Sequence, residues 1–199
     1  GQICGERFLS WRKGRLNAHV LLAAPDAMST RFHTAWGKKE LAKVVDSFGR
    51  EPVWKILDDD AGKTSTRWKG APFLYLFTNW VGWSSPLCRG DGKSKVPLFA
   101  LPVSDQIKED LHNWQRSYCR LDGVWMESGP LEMPAYRQLA DSSSELSEEG
   151  RNLCREIEVA TGIPTFYYLL RYWARPKGEN ERLCPGCGIA WKTSEPELW

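Results

Sequence analysis

The sequence has no long apolar run. Nowhere in its 199 residues does an uninterrupted apolar stretch approach the roughly 20 residues that a membrane-spanning helix needs. The amino end, from Gly1 to Arg7, also lacks the basic and apolar regions of a secretory signal peptide. We therefore expect a soluble, cytoplasmic protein that has no membrane partner.

An excess of charge of either sign is also missing. The chain has 27 Lys plus Arg against 25 Asp plus Glu, which gives a formal net charge of +2. Affinity for the phosphates of nucleic acids comes mainly from Lys and Arg. A protein that binds nucleic acid through a strong overall positive field is therefore disfavoured.

Histidine is scarce, and familiar catalytic motifs are absent from the sequence. His19, His33 and His112 have no partner spacing typical of a catalytic site, and there is no HExxH or GxSxG motif. The triplets Gly62-Lys63-Thr64 and Gly92-Lys93-Ser94 lack the earlier glycine of a phosphate-binding loop. We therefore interpret the histidines as surface or structural residues and expect a protein that is not an enzyme.

Tryptophan, in contrast, is abundant, with 11 residues spread from Trp11 to Trp199. Large rings of this kind predict a core in which the indole N–H groups need hydrogen-bond partners. Trp and Tyr are also enriched at the energetic centres of protein interfaces. Together with the balanced charge, this composition favours one alternative function, a protein-binding inhibitor or immunity protein that neutralises a bacterial toxin.

Apolar spacing predicts a mixture of strands and helices without a regular βαβ repeat. Ser104 and Ser147 are predicted to cap two of the helices, and Gly49 and Gly123 to end two. We therefore expect an α+β fold with a mixed or antiparallel sheet and packed helices. The predicted elements are a hairpin over 6–23, helices over 38–48, 104–123 and 147–161, strands over 73–80 and 96–101, and a central strand over 165–174.

The cysteines include one pair with a spacing typical of metal chemistry. Cys119 and Cys154 fall in helix-like patterns and are interpreted as small buried apolar residues, and the thiols are expected to be reduced. Cys184-Pro185-Gly186-Cys187-Gly188 resembles a zinc knuckle, because two thiolates two residues apart on a tight turn can share one ion. The pair supplies two of the four ligands that zinc takes. A redox CxxC and an inert loop are the alternatives.

An aromatic run from Phe166 to Trp173 contains Arg171 and is followed by Arg175. Its composition is similar to that of a stacking platform for single-stranded bases. Because both alternating faces are apolar, a strand in the core is the stronger interpretation. Arg171, Trp173 and Arg175 are nevertheless the candidate contacts to nucleic acid or to a protein partner.

Several motifs of the carboxyl-terminal third resemble one known family. They include Gly150-Arg151-x-x-Cys154, Thr161-Gly162-Ile163-Pro164-Thr165 and Cys184-Pro185-x-Cys187-Gly188. These stretches are similar to those of a bacterial family of unestablished function that is described as Zn-ribbon-containing and as a candidate for nucleic-acid binding. The similarity covers most of the chain, and the stretch from 144 to 191 is its most specific part.

The resemblance implies a carboxyl-terminal zinc ribbon with two CxxC pairs, of which Cys184 and Cys187 match the first. The second pair is expected downstream, and both ends of the protein are expected to be missing from this chain. Relatives often carry a further CxxC where this sequence has only Cys88, so a second metal site there is not supported. The implied organisation is an α+β body over 1–176 and half of a ribbon over 177–199, with zinc as cofactor and nucleic acid as partner.

Overall fold

The structure is a computed structural model that describes most of the chain. The described ranges are residues 3–24, 26–57, 68–82, 85–91, 95–171, 181–185 and 187–190, with backbone alone for residues 3–7. The elements are β1 (Ile3–Arg12), β2 (Arg15–Leu22), α1 (Ala35–Phe48), β3 (Leu74–Leu76), β4 (Leu87–Arg89), α2 (Asp105–Met126), α3 (Glu132–Ala140), α4 (Glu145–Thr161) and β5 (Thr165–Tyr167). The predicted boundary between 1–176 and 177–199 falls outside the described residues.

Two small sheets and several helices make this an α+β protein, as the sequence predicts. β1 and β2 form the predicted antiparallel hairpin around Lys13 and Gly14. The second sheet has the order β4-β3-β5, in which β3 is antiparallel to β4 and parallel to β5. Among the described helices, none combines the length and the apolar composition that crossing a bilayer requires.

The core lies between the β4-β3-β5 sheet and the helices α2 and α4. Leu74 and Leu76 of β3 are fully buried, and so are Trp114 and Tyr118 of α2. The Trp114 indole Nε1 donates a hydrogen bond to the Leu146 carbonyl at 3.2 Å. A large ring thus lies in the core with its N–H group satisfied, as the abundance of tryptophan predicts.

The cap hydrogen bonds show that the predicted start of one helix is correct and that the predicted start of another is wrong. Ser104 caps α2 as predicted, because its Oγ accepts a hydrogen bond from the Ile107 N–H at 3.2 Å. The predicted cap at Ser147 is wrong: Ser144 Oγ accepts from the Ser147 N–H at 3.2 Å, and Ser147 itself is fully buried. Starting α4 one turn earlier places Leu146 in the core, where its carbonyl accepts from Trp114.

The structure corrects both predicted strands over 73–80 and 96–101. Only three residues of the run 73–80 form β3, and the predicted strand over 96–101 is wrong because Leu98–Ala100 is a 3-10 helix. Pro97 and Pro102 lack the N–H groups that a strand would need there. One of the two strands that pair with β3 is β4, which lies between the predicted strands, where the sequence predicts no element.

The predicted central strand over 165–174 is also wrong in position. Of its described residues, 165–171, only Thr165–Tyr167 form a strand, and in the described sheet this strand pairs with β3 on one side and is at the edge. The Phe166 ring is exposed, as the edge position allows. The centre of the sheet is β3, whose Leu74 and Leu76 supply the buried apolar face.

The contact between α4 and β5 depends on a glycine. A Cβ at Gly150 would lie 2.1 Å from Cε2 of Tyr167 and 2.9 Å from Nε1 of Trp114, both far inside van der Waals contact. The Trp114 and Tyr167 rings themselves meet edge to face at 5.9 Å. The helix can therefore approach the ring of β5 only where it carries no side chain.

We expect Gly150→Ala to destabilise the protein by about 3 kcal/mol, because the added methyl group must displace rings that are packed in the core. Chemical denaturation monitored by tryptophan fluorescence measures the loss. Gly123→Ala is the matched control. A Cβ at Gly123 of α2 would lie 3.8 Å from Cβ of Trp80, an ordinary van der Waals contact. There the helix propensity of Ala should raise stability by about 0.5 to 1 kcal/mol. Similar effects of the two substitutions would contradict the close contact.

Candidate metal centre

Cys184, Cys187 and Gly188 lie in a turn that is closed by a short antiparallel bridge. Leu183 and Ala190 form an isolated antiparallel bridge across it. The Cys184 N–H donates to the Ile189 carbonyl, and the Gly188 N–H donates to the Cys184 carbonyl, both at 2.8 Å. Gly188 has a φ of +71°, a left-handed conformation that glycine adopts without steric cost. Backbone hydrogen bonds and one glycine thus fix the turn on which both cysteines lie.

The two thiols of this turn have the chemistry of half a zinc site. Cys187 is exposed, Cys184 is half-buried, and no disulfide joins any two of the described cysteines. Two cysteines on one tight turn are the usual first half of a four-cysteine zinc site. Within the described ranges, no group of three or more His, Cys, Asp or Glu side chains is placed to hold a metal ion. The residues fit zinc as two ligands, and two more would have to come from elsewhere.

A chain of two hydrogen bonds links this turn to α4. Ser142, in the loop between α3 and α4, donates from its Oγ to the Pro185 carbonyl at 3.3 Å. The Arg151 guanidinium of α4 donates in turn to the Ser142 carbonyl. Arg151 follows Gly150 in one of the motifs that carry the family resemblance. The same turn of α4 therefore packs the core and holds the loop that contacts the knuckle.

The charges of two arginines, Arg171 and Arg182, act on each other. Partial burial is the largest cause that lowers the pKa of Arg171, and the positive charge of Arg182 lowers it further. Tyr136 and Tyr168 raise this pKa. Arg182, which the sequence did not single out, lies two residues before Cys184. Its electrostatic effect on Arg171 links that candidate contact residue to the knuckle. Trp173 and Arg175, the other candidate contacts, lie outside the described residues.

The remaining described cysteines lie in the body, where Cys88 and Cys154 are buried and Cys119 is half-buried. Cys154 is buried and donates from its Sγ to the Phe166 carbonyl at 3.3 Å, and burial raises its pKa to about 12. Burial also raises the pKa of Cys119, whose thiol donates to the Asn79 carbonyl at 3.1 Å. Protonated thiols are weak nucleophiles and weak metal ligands. The interpretation of Cys154 as a buried apolar residue is confirmed, and Cys119 is half-buried.

The three histidines lie on different parts of the fold. His19 is exposed on β2, and the half-buried His33 donates from Nε2 to the Met28 carbonyl at 3.2 Å. His112 lies half-buried on α2, where burial, and to a lesser extent Arg116, lowers its pKa to about 4. The described structure brings no two of these histidines into one site. His112 is neutral at physiological pH.

A buried polar contact, which sequence reasoning missed, ties the segment after β3 to α2. The Asp122 carboxylate of α2 is buried and accepts a hydrogen bond from the Trp80 N–H at 2.7 Å. Burial raises the pKa of Asp122, and this hydrogen bond opposes the rise. An aspartate on an otherwise amphipathic helix carries no sequence signal for this contact, because its partner is a backbone group distant in the chain.

An acidic groove between α2 and α4 was also missed. Its volume is about 450 Å³, and it is lined by Asp110, Glu145, Glu148, Glu149 and Glu156 together with Asn152 and apolar neighbours. Burial and the nearby charge of Asp110 raise the pKa of Glu149. The groove concentrates negative charge on one face of the helices, although the net charge of the chain is close to zero.

Comparison with known protein families matches the part of the chain that forms the core. Residues 69–170 match the family described as Domain of unknown function (DUF2310), a range that holds the β4-β3-β5 sheet and helices α2 to α4. The chain belongs to the DUF2310 family. The matched range ends before Cys184, so the family match covers residues 69–170 of the body and leaves the knuckle outside it.

Two proteins of Haemophilus influenzae, each named only as an uncharacterized protein, are similar to this DUF2310 chain. One is 33% identical over 141 residues, which cover 69% of this chain and 54% of the relative. The other is 35% identical over 136 residues, which cover 67% of this chain and 64% of the relative. The chain thus spans between half and two thirds of the length of these curated relatives. No solved structure matches it.

These matches confirm part of the resemblance drawn from the sequence. They show a bacterial family of unknown function, which agrees with the description of the resembling family as one without an established function. The zinc ribbon and nucleic-acid binding that the resemblance implies stay predictions.

We expect the protein to lose stability on acidification through His112. Because its pKa is about 4 in the folded chain and 6.5 ordinarily, the unfolded chain binds the proton first as the pH falls below 6.5. Stability from this group is fully present above pH 6.5 and is lost toward pH 4. Between pH 7 and pH 5 the loss should be about 1 kcal/mol, with allowance for the partial exposure of the ring. Urea denaturation of the wild type and of His112→Asn at both pH values measures it.

The control is Ser117→Ala, which removes an exposed side chain of the same helix and should keep the pH dependence of the wild type. If the wild type and His112→Asn lose the same stability between pH 7 and pH 5, then His112 does not carry the effect.

Proposed function

We propose that the DUF2310 chain is a non-enzymatic zinc-ribbon protein in which Cys184 and Cys187 supply two ligands of a structural zinc ion. The observation that carries the proposal is the turn itself, with its backbone hydrogen bond from Gly188 to Cys184 and the left-handed Gly188. Zinc bound to this turn would stabilise the fold of the appendage, since structural zinc sites contribute their binding energy to folding. The other two ligands come from outside the described residues.

The intact protein, purified reduced and without chelator, should contain about one zinc ion per chain, because structural zinc takes four protein ligands. Elemental analysis by plasma mass spectrometry measures the metal content. Cys184→Ser and Cys187→Ser should each lose most of the zinc, since a single remaining thiolate of the pair cannot complete the tetrahedral site.

Cys119→Ser is the matched control for these variants. Its thiol lies in the body and donates to the Asn79 carbonyl, a bond that a serine hydroxyl can also make, so the zinc content should not change. About half a zinc ion per chain would mean that two copies share the ion through their knuckles. Zinc-free wild-type protein, or full zinc content in Cys184→Ser, would refute the site.

Single-stranded nucleic acid is the partner proposed for the surface beside the knuckle. The support is the pair Arg171 and Arg182, whose charges are close enough to act on each other, together with the partly exposed ring of Tyr168. Arginines contact phosphates and aromatic rings stack on bases. Because the net charge is only +2, binding should be weak and should depend strongly on salt.

Fluorescence anisotropy with a labelled deoxythymidine oligomer tests this partner. The wild type should bind at low ionic strength and lose affinity as salt rises. Arg182→Ala should weaken binding and reduce the slope of log affinity against log salt by about one, since one phosphate contact is lost. Arg155→Ala is the control, because Arg155 is exposed on α4 and its guanidinium donates to Asn152. Equal slopes for both variants, or no binding by the wild type at low salt, would rule out this surface.

The second function considered from the sequence, neutralisation of a bacterial toxin, stays a prediction, and so does the cytoplasmic location. The described residues single out no surface for a toxin. The knuckle and its arginines support the first function with specific geometry, and for that reason it is the one proposed.

A further inference from the structure

The β1-β2 hairpin carries exposed apolar side chains on both of its faces. Leu9 and Trp11 lie on one face and are 68% and 67% exposed. Phe8 lies on the opposite face, where it is 66% exposed, and Leu21 is exposed on the same face as Phe8. A partner that docked on one face alone would leave the bulky side chains of the other face in water. An occupant that covers these side chains therefore has to contact both faces.

The turn of the hairpin is basic. Arg12, Lys13 and Arg15 lie at or beside it, and residues 7–25 contain four Lys or Arg and no Asp or Glu. This local excess is larger than the net charge of +2 for the whole chain. Glu6, the only acidic residue in the sequence of the two strands, lies toward the open end, roughly 20 Å from the turn. The turn region therefore offers concentrated positive charge that fits an anionic surface.

Two features of this turn are unfavourable in the hairpin by itself. Lys13 and Gly14 have φ angles of +50° and +69°, as in a type I′ turn, in which Asn rather than Lys is favoured at the first position. Arg12 lies directly opposite Arg15, and like charges at such a pair destabilise a hairpin. Among the described residues, no carboxylate forms an ion pair with any of these three cations. Contact with an anionic surface offsets both costs, since it attracts the same charges.

Apolar rings and leucines beside a basic turn are typical of segments that bind at the interface of a bilayer. There Lys and Arg contact anionic headgroups, Trp lies at the level of the headgroups, and aliphatic side chains reach the outer part of the acyl chains. A nucleic acid would also attract the cations and stack on the rings, but it gives aliphatic side chains such as Leu9 and Leu16 little to bury against. The headgroup layer, in contrast, surrounds a hairpin that lies in it and so contacts both faces.

We propose that the β1-β2 hairpin docks in the headgroup layer of an anionic lipid bilayer. Leu9 and Trp11 face the acyl chains, and Arg12 and Arg15, on the opposite face, bind lipid phosphates together with Lys13. The prediction of no membrane partner rested on the lack of a run long enough to span a bilayer, and docking at the surface needs no such run. The proposal goes beyond the zinc and nucleic-acid functions and depends on neither.

Co-sedimentation of the full chain with lipid vesicles tests this docking. One set of vesicles contains phosphatidylglycerol and phosphatidylcholine in equal parts, and the other contains phosphatidylcholine alone. The wild type should bind the anionic vesicles at low ionic strength, bind the neutral vesicles much more weakly, and be released as salt screens the attraction. No binding to the anionic vesicles, or equal binding to both sets, would overturn the proposal.

Lys13→Asn separates lipid binding from the stability of the hairpin. Asn suits the type I′ turn, so the hairpin should be at least as stable as in the wild type, yet affinity for the anionic vesicles should fall about fivefold because one cation is lost. Arg12→Gln removes the repulsion from Arg15 and should act in the same two directions. Amide hydrogen exchange in the hairpin measures its stability. Wild-type vesicle affinity in both variants would contradict the role of the turn.

Trp11→Ser tests the apolar contact with the bilayer. Affinity for the anionic vesicles should fall at least about tenfold, because a largely exposed indole no longer enters the interface. Trp80→Ser is the matched control, since it removes a half-exposed indole that follows β3 in the body, and it should keep the affinity of the wild type. Equal losses in the two variants would mean that the hairpin is not the part that docks.

The labelled deoxythymidine oligomer distinguishes a nucleic acid from a lipid as the occupant. Lys13→Asn and Trp11→Ser should lose vesicle affinity in the proportions given above, and Arg182→Ala should bind vesicles as the wild type does. If the hairpin variants instead lose affinity for the oligomer and keep that for vesicles, a nucleic acid occupies the hairpin and the lipid proposal fails. Failure of the nucleic-acid function, seen as no oligomer binding by the wild type, leaves the vesicle result to be judged by itself.

Discussion

The close approach of α4 to the Tyr167 ring at Gly150 is the contact on which the rest of the body depends. It places α4 against β5, and Trp114 of α2 completes the contact from the other side. The next residue, Arg151, holds the Ser142 loop, which reaches the Pro185 carbonyl. Two neighbouring positions of α4, Gly150 and Arg151, thus serve the packing of the core and the attachment of the cysteine turn, respectively.

The charge of the molecule is balanced in total and separated in space. Carboxylates line the groove between α2 and α4, whereas the positive charges of Arg171 and Arg182 act on each other, and Arg182 lies two residues before Cys184. Such a small basic surface would give the proposed nucleic-acid partner only modest affinity, since few phosphate contacts are available. The acidic groove would repel this proposed partner and so would restrict the orientation of its approach.

Sequence reasoning was most successful where the signal is local. The hairpin, α1 and α2 follow from turn residues, apolar period and caps such as Ser104 and Gly49, all within a few residues of the element they define. The short strands could not be predicted, because three residues are too few for a period and β4 forms only by pairing with β3. Arg182 was missed for the same reason, since its proximity to Arg171 arises from tertiary structure.

The parallel pairing of β3 with β5 has a consequence for the order of folding. Leu74 meets Thr165, so the strand at the centre of the sheet receives its second neighbour only after all of α2, α3 and α4 have been synthesised. Parallel strands cannot be joined by a tight turn, and contacts so distant in the chain form slowly. During synthesis on the ribosome, β3 cannot pair with β5 until the carboxyl-terminal part of the body has been made. The progress of chain synthesis therefore limits when the three-stranded sheet can form.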